Sequence, residues 1–358
     1  MQRLRYTWIW MPPLLGAVSL IFGGTLTIPA LLLGAVLIIT VLAAVHHAEI
    51  IAHKVGEPFG TFLLALAVTV IEAGLILTLM LQGKEGSATL ARDTVFSAVM
   101  IILNALVGTF ILVGALRHHE QDFQQTGVNA SLATLCTLTV LTLVLPNFAI
   151  SAHGPYYSPA QLAFVAVVSL LLYLTFVSVQ TMRHRNYFLP PAELAAADPE
   201  AHAPPPSGRQ TLLSAVLLVV CLTEVVLLAK ALAPSIERSV AAAGAPHAVV
   251  GVVIAALVLL PESIAAIRAA SSNRLQTSLN LALGSALATI GLTIPAVAAL
   301  SLYAGLPLAL GLDPRSIVLL GLTLLVSSLS LGTARTTVLQ GVVHLVIFGV
   351  FVFTTLVP

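Results

Sequence analysis

Three glutamates stand inside long apolar stretches of the 358-residue sequence. Glu72, Glu224 and Glu262 lie well within these stretches, whereas the four aspartates fall at their ends or between them. An ionisable group at the centre of a bilayer costs about 3 kcal/mol and usually marks an ion pathway or a proton relay. Each glutamate is therefore a candidate for binding cations or protons. The alternative is a protonated carboxyl that is hydrogen-bonded between helices, and we favour that alternative for Glu224.

Two carboxylates together suit competition between a cation and protons. Ca²⁺ prefers about six to eight oxygen ligands, and carboxylates supply the charge. Two glutamates can hold one divalent ion or two protons at similar net charge, so both ligands would compete for the same oxygens. This competition predicts exchange of a cation for protons. A cation channel is the alternative function, although channels more naturally build rings of acids from several subunits. An enzyme is not expected, because no nucleophile–base pair or metal-binding cluster has a catalytic spacing.

The composition defines the environment of these glutamates. Hydrophobic residues make up 58 % of the chain and charged residues only 8 %, against roughly 25 % charged residues in soluble domains. The chain is therefore predicted to be an all-α polytopic membrane protein in a lipid bilayer. A net charge of +1 and the lack of a basic run argue against a nucleic-acid partner.

The hydropathy pattern predicts eleven transmembrane helices, each about 20 residues long as the hydrocarbon core requires. They are 7–24, 27–49, 61–82, 93–116, 130–151, 159–182, 210–233, 246–267, 277–302, 313–332 and 336–357. The connection 183–209 holds six prolines and several charges, so it is a linker that cannot span. With the N-terminus inside, ten lysines and arginines fall in inner segments and four in outer ones. We therefore expect a cytoplasmic N-terminus, a cytoplasmic linker and an outer C-terminus.

The two halves of the chain carry the same features in the same order. Each has an acid seven residues before a glycine, then a membrane glutamate, then an Asn-x-x-x-Gly motif. The first half has Glu49, Gly56, Glu72 and Asn104–Gly108, and the second has Glu237, Gly244, Glu262 and Asn280–Gly284. We divide the chain into an extra helix (1–26), a five-helix repeat (27–182), the linker (183–209) and a second five-helix repeat (210–358). Five spans per repeat force opposite insertion, which is the inverted-repeat plan of transporters with a site near the midplane.

The stretches GEPFGTFLLALAVTVIEAG and PESIAAIRAASSNRLQTSLNLALGSALATIGLTIP carry a family resemblance. They are similar to the two repeat motifs of the cation/proton exchangers in the Ca²⁺:cation antiporter superfamily, particularly the bacterial ChaA-type antiporters. The resemblance implies eleven helices and exchange of Ca²⁺, Na⁺ or K⁺ for protons across a bacterial inner membrane, without a cofactor. Preference among these cations is left open.

The resemblance also implies which residues form the site. The two motif glutamates of the family fall on Glu72 and Glu262, which would be the metal ligands. The other implied positions are Asn104, Gly108, Asn273, Gln276, Ser278, Asn280, Gly284 and Ser285. The wider family has an asparagine three residues before each glutamate, where this chain has Thr69 and Leu259. Fewer side-chain oxygens are therefore expected here, and Ca²⁺ selectivity does not carry over.

Several residues near the glutamates could complete a cation or proton pathway. Thr69 lies one turn before Glu72 and could offer its hydroxyl or bond back to its own helix. Pro261 could free main-chain carbonyls as ligands, or could simply kink its helix. Ser285, Asn104 and Asn280 are expected to bind ions or protons, and three further pathway candidates are Glu224, Gln276 and Ser278.

The histidines admit two interpretations. The clusters His46–His47–His53 and His118–His119 could sense cytoplasmic protons, but we favour solvated or headgroup-facing side chains. His344 stands alone in the last span and is predicted to be a packed core residue.

Overall fold

The computed structural model describes residues 2–22, 29–56, 59–81, 86–189, 206–333 and 335–357. Within these ranges the chain is helical, with two isolated bridges and no strand. The helices are α1 (Gln2–Phe22), α2 (Ala30–Val55), α3 (Phe59–Met80), α4 (Ser87–Met100), α5 (Val107–His118), α6 (Gln125–Thr139), α7 (Pro159–Ser178), α8 (Gly208–Ala242), α9 (Ala248–Ser271), α10 (Leu275–Ala288), α11 (Ile294–Ala304), α12 (Pro314–Leu331) and α13 (Val338–Leu356).

Four π-helical turns interrupt or extend these helices. Ile101–Leu106 joins α4 to α5, and Thr289–Thr293 joins α10 to α11. Val140–Val144 extends α6 and leads into the 3₁₀ turn Leu145–Phe148, and Val179–Arg183 extends α7. A π turn widens the helix by one residue and often lies at a functional position.

Local sequence signals explain where several helices begin and end. Ser158 before α7 and Ser207 before α8 each form a capping box with the glutamine three residues later. At the other end, Gly56 and Gly244 follow α2 and α8 with φ angles of 79° and 65°. Only glycine adopts this left-handed conformation without a steric cost, which explains the repeated glycine. Both glycines thus follow a helix with a positive φ angle, and the equivalence of the two halves stays a prediction.

The membrane class is confirmed, while the number of spans stays a prediction. Among the described residues, eight helical segments are long and apolar enough to cross a bilayer. A ninth is added when the two halves of α9, which are bent by 55°, are taken as one span. Helices α1 and α3 contain shorter apolar stretches, Trp10–Ile21 and Leu66–Met80. Within the described residues, each predicted span overlaps a helical segment, but eleven crossings are not established.

Two predicted boundaries need correction. Helix α4 begins at Ser87, so Asp93 lies in its second turn, only 9 % exposed, rather than at the end of a span. The Arg92 guanidinium pairs with this carboxylate at 2.8 Å. Helix α8 runs on to Ala242, so Glu237 is helical rather than part of a loop. Most of the predicted linker, residues 190–205, lies outside the described residues, as does Glu57.

The chain divides into two compact units. Unit 1 comprises residues 1–83 and 204–244, and unit 2 comprises residues 84–203 and 245–358. In unit 1, α8 packs against α1, α2 and α3. In unit 2, α9 packs against α4, α5 and α10, and α13 packs against α5. Glu72 and Glu224 belong to unit 1 and Glu262 to unit 2, so the site residues are described within their own units.

Glycines allow two of the helix contacts in unit 2 to be very close. A Cβ built on Gly341 of α13 would lie 2.9 Å from the carbonyl oxygen of Gly108 on α5. A Cβ built on Gly251 of α9 would lie 2.9 Å from the carbonyl carbon of Asp93 on α4. Small residues let membrane helices approach so that their backbones pack directly. The structure thus gives Gly108, implied as a site position, a role in packing.

Candidate cation site

Glu262 is the centre of the candidate site in unit 2. Its side chain is buried, at 4 % exposure, on α9. The Ser285 hydroxyl on α10 donates a 2.5 Å hydrogen bond to Glu262 Oε2. The other oxygen, Oε1, has no hydrogen-bond partner among the described residues. The structure therefore brings two of the predicted residues together and leaves one buried carboxylate oxygen available to a ligand.

The backbone bends at the position of this carboxyl. The halves Ala248–Leu260 and Glu262–Ser271 of α9 are inclined by 55°. Proline has no N–H, so Pro261 leaves the carbonyl of Leu257 without its helical donor. Broken membrane helices are tolerated where polar backbone lines a site, and transporters use their free carbonyls to coordinate cations. The carbonyl of Leu257 lies five residues before Glu262 on this helix, and its use as a cation ligand stays a prediction.

Two side chains donate hydrogen bonds to main-chain carbonyls in the C-terminal half of α9. Ser278 Oγ donates to the carbonyl of Ala266 at 2.7 Å, and Gln121 Nε2 donates to that of Ala270 at 3.3 Å. Gln121 also donates to Oδ1 of Asn273, whose φ angle is 58°. Ser278 is buried and engaged with the backbone. Its position points to a bracing role rather than to a free ligand.

Asn104 and Asn280 lie in different local structures, which contradicts their predicted equivalence. Helices α4 and α10 each have 14 residues and are each followed by a π turn. Asn104 lies inside the first π turn, whereas Asn280 lies in α10, before the second π turn. The two Asn-x-x-x-Gly motifs therefore lie at different distances from the starts of α4 and α10. Glu72 and Glu262, by contrast, occupy similar positions, since both lie in the second halves of their helices.

Asn104 is fully buried and only partly hydrogen-bonded. Its amide nitrogen donates to Thr323 Oγ1 on α12 at 3.0 Å. Its side-chain oxygen, Oδ1, has no hydrogen-bond partner within the described ranges. The π turn that holds Asn104 packs against α9 and α12. The amide oxygen is thus a second buried acceptor in unit 2. The sequence did not indicate Thr323 as a partner, because a threonine in an apolar span gives no signal of a long-range contact.

Asn280 and Gln276 form a hydrogen-bonded chain that engages both amides. Gln276 accepts from the main-chain nitrogen of Gln124 at 2.6 Å and donates to Asn280 Oδ1 at 2.8 Å. Asn280 donates in turn to the carbonyl of Phe188 at 2.5 Å. These hydrogen bonds connect α10 to the segments before α6 and after α7. Gly284, one turn after Asn280, faces open space.

In unit 1, Glu72 and Thr69 are neighbours on α3. Their side chains are 2 % and 4 % exposed and lie one helical turn apart. Two residues after Glu72, a Cβ on Gly74 would lie 3.0 Å from Val226 on α8, so the two helices pack closely there. The burial of Glu72 matches that of Glu262.

Glu224 is also buried in unit 1, at 6 % exposure on α8. A Cβ built on Gly16 of α1 would overlap Glu224 Oε2 and would lie 3.4 Å from Thr40 Oγ1 of α2. Glu224 Oε2 has no hydrogen-bond partner among the residues that the structure describes. The hydrogen bond that we favoured for this carboxyl from the sequence is therefore absent at Oε2.

Two groups of histidines have the predicted exposure, and His47 does not. His344 is fully buried on α13, which confirms the predicted core position. His118 and His119 are exposed, and His118 Nε2 lies 3.4 Å from the carbonyl of Ser271 at the end of α9. His47 differs from its neighbours, because it is fully buried on α2 rather than solvated.

The described residues contain no group of three or more His, Cys, Asp or Glu side chains that could hold a metal ion. A cation bound at Glu262 would therefore need hydroxyl, amide and main-chain oxygens to complete its coordination. Ca²⁺, Na⁺ and K⁺ accept such neutral oxygen ligands readily.

Comparison with known proteins identifies the family. The sodium/calcium exchanger protein family matches residues 26–182 and 213–357. The chain belongs to this family. It is 48 % identical to the "Putative ionic transporter y4hA" of Sinorhizobium fredii, over 98 % of this chain and 96 % of that one. It is 32 % identical to the "Sodium-potassium/proton antiporter ChaA" of Escherichia coli, with the same coverage. The chain accordingly belongs to a family of cation transporters.

A solved structure agrees with the fold. The crystal structure of the H⁺/Ca²⁺ exchanger CAX superposes with a TM-score of 0.73 at 17 % identity. The match covers 98 % of this chain and 88 % of that one. The resemblance stated from the two sequence motifs is confirmed at the level of the superfamily, and the chain is a multi-pass membrane protein of a bacterial exchanger family.

Proposed function

We propose that this exchanger moves Na⁺, K⁺ or Ca²⁺ out of the cytoplasm in exchange for protons, by alternating access. Glu72 and Glu262 are the shared binding residues for the cation and the protons. The observation that carries the proposal is Glu262 itself, a buried carboxylate at a helix break with one oxygen bonded to Ser285 and one without a partner.

The family relatives support the choice of ions. The relative that is 32 % identical is named for sodium, potassium and proton exchange, and the superposed structure for proton and calcium exchange. Two carboxylates with neutral oxygens can serve either class of cation, since charge and ligand number decide between them. Thr69 in place of the family asparagine reduces the ligands near Glu72, which favours a monovalent ion over Ca²⁺.

The two-part family match supports the proposed repeats. The matched stretches, 26–182 and 213–357, lie close to the boundaries 27–182 and 210–358 that the sequence suggested. We propose that these repeats are inverted, that residues 1–26 form an extra helix, and that 183–209 is a cytoplasmic linker. The chain would lie in the bacterial inner membrane with its N-terminus inside and its C-terminus outside.

The cycle follows from competition at the carboxylates. In the inward-facing state, Glu72 and Glu262 release protons and bind the cation with the Ser285 and Thr69 hydroxyls and carbonyls at the α9 bend. In the outward-facing state, protons driven by their gradient displace the cation. An empty, ionised site is expensive to bury in the membrane, so the site changes access only when loaded. This restriction couples the two fluxes.

The test is cation-driven proton movement in everted vesicles, with Na⁺, K⁺ and Ca²⁺ added separately. Glu72→Gln and Glu262→Gln keep the side-chain size but cannot carry charge, so each should abolish exchange. Glu120→Gln is the matched control, because Glu120 is an exposed glutamate paired with Arg335. Ion currents at rates far above those of a carrier would instead support the channel alternative.

A further inference from the structure

Glu224 occupies a small pocket formed by α1, α2 and α8 in unit 1. An ideal Cβ on Gly16 would lie 2.9 Å from Glu224 Cδ and 3.4 Å from Thr40 Oγ1. The carboxyl therefore rests against the backbone of α1, in space that exists only because residue 16 has no side chain. The Thr40 hydroxyl donates to the carbonyl of Val36 at 2.9 Å. Its lone pairs remain available to an acidic proton.

This pocket is separate from the position of Glu72. Val226, two residues after Glu224, contacts Gly74 on α3, the helix that carries Glu72. Two residues correspond to about 200° around an α-helix, so Glu224 points to nearly the opposite face of α8. The carboxyl faces α1 and α2, while the α3 contact lies behind it.

The surroundings of Glu224 offer it no cationic partner within the described part of unit 1. Besides Glu224, the titratable side chains on the packed helices are Arg209, Cys221, Lys230, Glu237 and Arg238 on α8, Glu72 on α3, and His46, His47, Glu49, His53 and Lys54 on α2. The described side chains of α1, residues 10–21, include none. Cys221 lies one turn before Glu224 on α8, and the cationic side chains of that helix, Arg209, Lys230 and Arg238, are exposed. An unpaired carboxylate is strongly disfavoured in such a setting, whereas a neutral acid is not.

We propose that Glu224 is a proton-binding site separate from Glu72 and Glu262, and that helix α1 closes it through Gly16. A proton from water forms an O–H bond at Oε2, and release of the same proton regenerates the carboxylate. The extra N-terminal helix is then a functional part of the exchanger rather than an accessory to the two repeats. The site takes a proton and no metal ion, because the described side chains of α1 and α2 include a single carboxylate, Glu49, and that side chain is exposed near the end of α2.

The direct test is covalent labelling of the purified, full-length protein with dicyclohexylcarbodiimide, which reacts with protonated carboxyls in apolar surroundings. Labelling at Glu224 is located by mass spectrometry across a pH series. We expect labelling at acidic pH that falls about tenfold per pH unit once the carboxyl ionises. Na⁺, K⁺ and Ca²⁺ should not protect Glu224. Absence of label at every pH, or protection by any of the three cations, would overturn the proposal.

Two glycine variants test the part played by α1. Gly16→Ala places a methyl group where Glu224 Oε2 lies, so labelling of Glu224 at acidic pH should fall. Gly34→Ala is the matched control on α2, since its Cβ would lie 3.9 Å from Leu232 Cδ2, an ordinary contact. Labelling of Gly16→Ala at the wild-type level would refute the closure by α1.

A double variant covers the case in which Gly16→Ala folds poorly. In a Glu224→Ala background the clash is absent, so adding Gly16→Ala should cause no further loss of exchange or of folded protein. A further loss would show that Gly16 acts through something other than Glu224, against the proposal. The exchange readout rests on the proposed function, whereas the labelling does not. A protein that labels as expected but exchanges no ions would contradict only the proposed function.

Discussion

Removing the Ser285 hydroxyl should weaken cation binding by an amount that the structure allows us to work out. Ser285 Oγ donates a 2.5 Å hydrogen bond to a buried carboxylate oxygen of Glu262. Hydrogen bonds to charged groups contribute about 1.5–3 kcal/mol. Each 1.4 kcal/mol corresponds to about a factor of ten in affinity. Ser285→Ala should therefore raise the half-saturating cation concentration about 10- to 150-fold, while Ser285→Thr, which keeps a hydroxyl, should recover much of the loss.

The assay is the half-saturating cation concentration for proton movement in vesicles at fixed pH. Ser263→Ala is the matched control, because Ser263 follows Glu262 on α9 but donates to the carbonyl of Leu259 in its own helix. That variant should bind the cation like the wild type. An unchanged half-saturation in Ser285→Ala, with normal amounts of inserted protein, would refute the assignment of Ser285 to the cation site.

Three further predictions concern stability. Gly251→Ala should lower the midpoint of thermal unfolding, because its Cβ would lie 2.9 Å from the Asp93 backbone and would push α9 from α4. Asn280→Ala removes two side-chain hydrogen bonds and should cost about 1–3 kcal/mol of unfolding free energy without changing the half-saturating cation concentration. Burial opposes ionisation of Asp313, but hydrogen bonds from Ser316 and the nearby guanidiniums outweigh it and lower the pKa of the Asp313 carboxyl. Asp313→Asn should therefore reduce thermal stability at neutral pH, with the difference from wild type vanishing as the pH falls through that lowered pKa.

Each of these predictions has its own control and contradiction. Gly321→Ala, at a glycine whose Cβ would meet nothing within 4 Å, should unfold like the wild type. If Asn280→Ala changed cation half-saturation as strongly as Ser285→Ala, Asn280 would be a ligand rather than a brace. A stability difference for Asp313→Asn that persisted unchanged into strong acid would show that the carboxylate charge is not its cause, since the ionised Asp313 carboxylate contributes stability only above its pKa in the folded protein.

The sequence was sufficient for the class, the helical segments and the buried glutamates, because these depend on local properties. Twenty apolar residues form a helix in lipid whatever lies beside them. Burial of Glu72 and Glu262 follows from their place within such runs. The start of α4 was misplaced because Ser87–Arg92 is too polar to register as membrane span, although Arg92 pairs with Asp93.

Side-chain partners could not be predicted, because they depend on helix phase and on distant segments. The π turn Ile101–Leu106 changes the phase of α4 relative to α5, and no hydropathy pattern reveals it. That turn places Asn104 against Thr323, far away in sequence, while Asn280 bonds to the carbonyl of Phe188. The contact between Gly16 and Glu224 has the same origin. Glycines are common in apolar helices, and tertiary packing decides which of them makes a close contact.

The most direct test of the account is cation-driven proton movement in sealed vesicles that contain wild-type protein, Glu72→Gln, Glu262→Gln or the control Glu120→Gln. The account predicts a proton signal with at least one of Na⁺, K⁺ and Ca²⁺ for the wild type and Glu120→Gln, and none for the other two variants. Full exchange by either Glu72→Gln or Glu262→Gln would contradict a shared site for the cation and the protons.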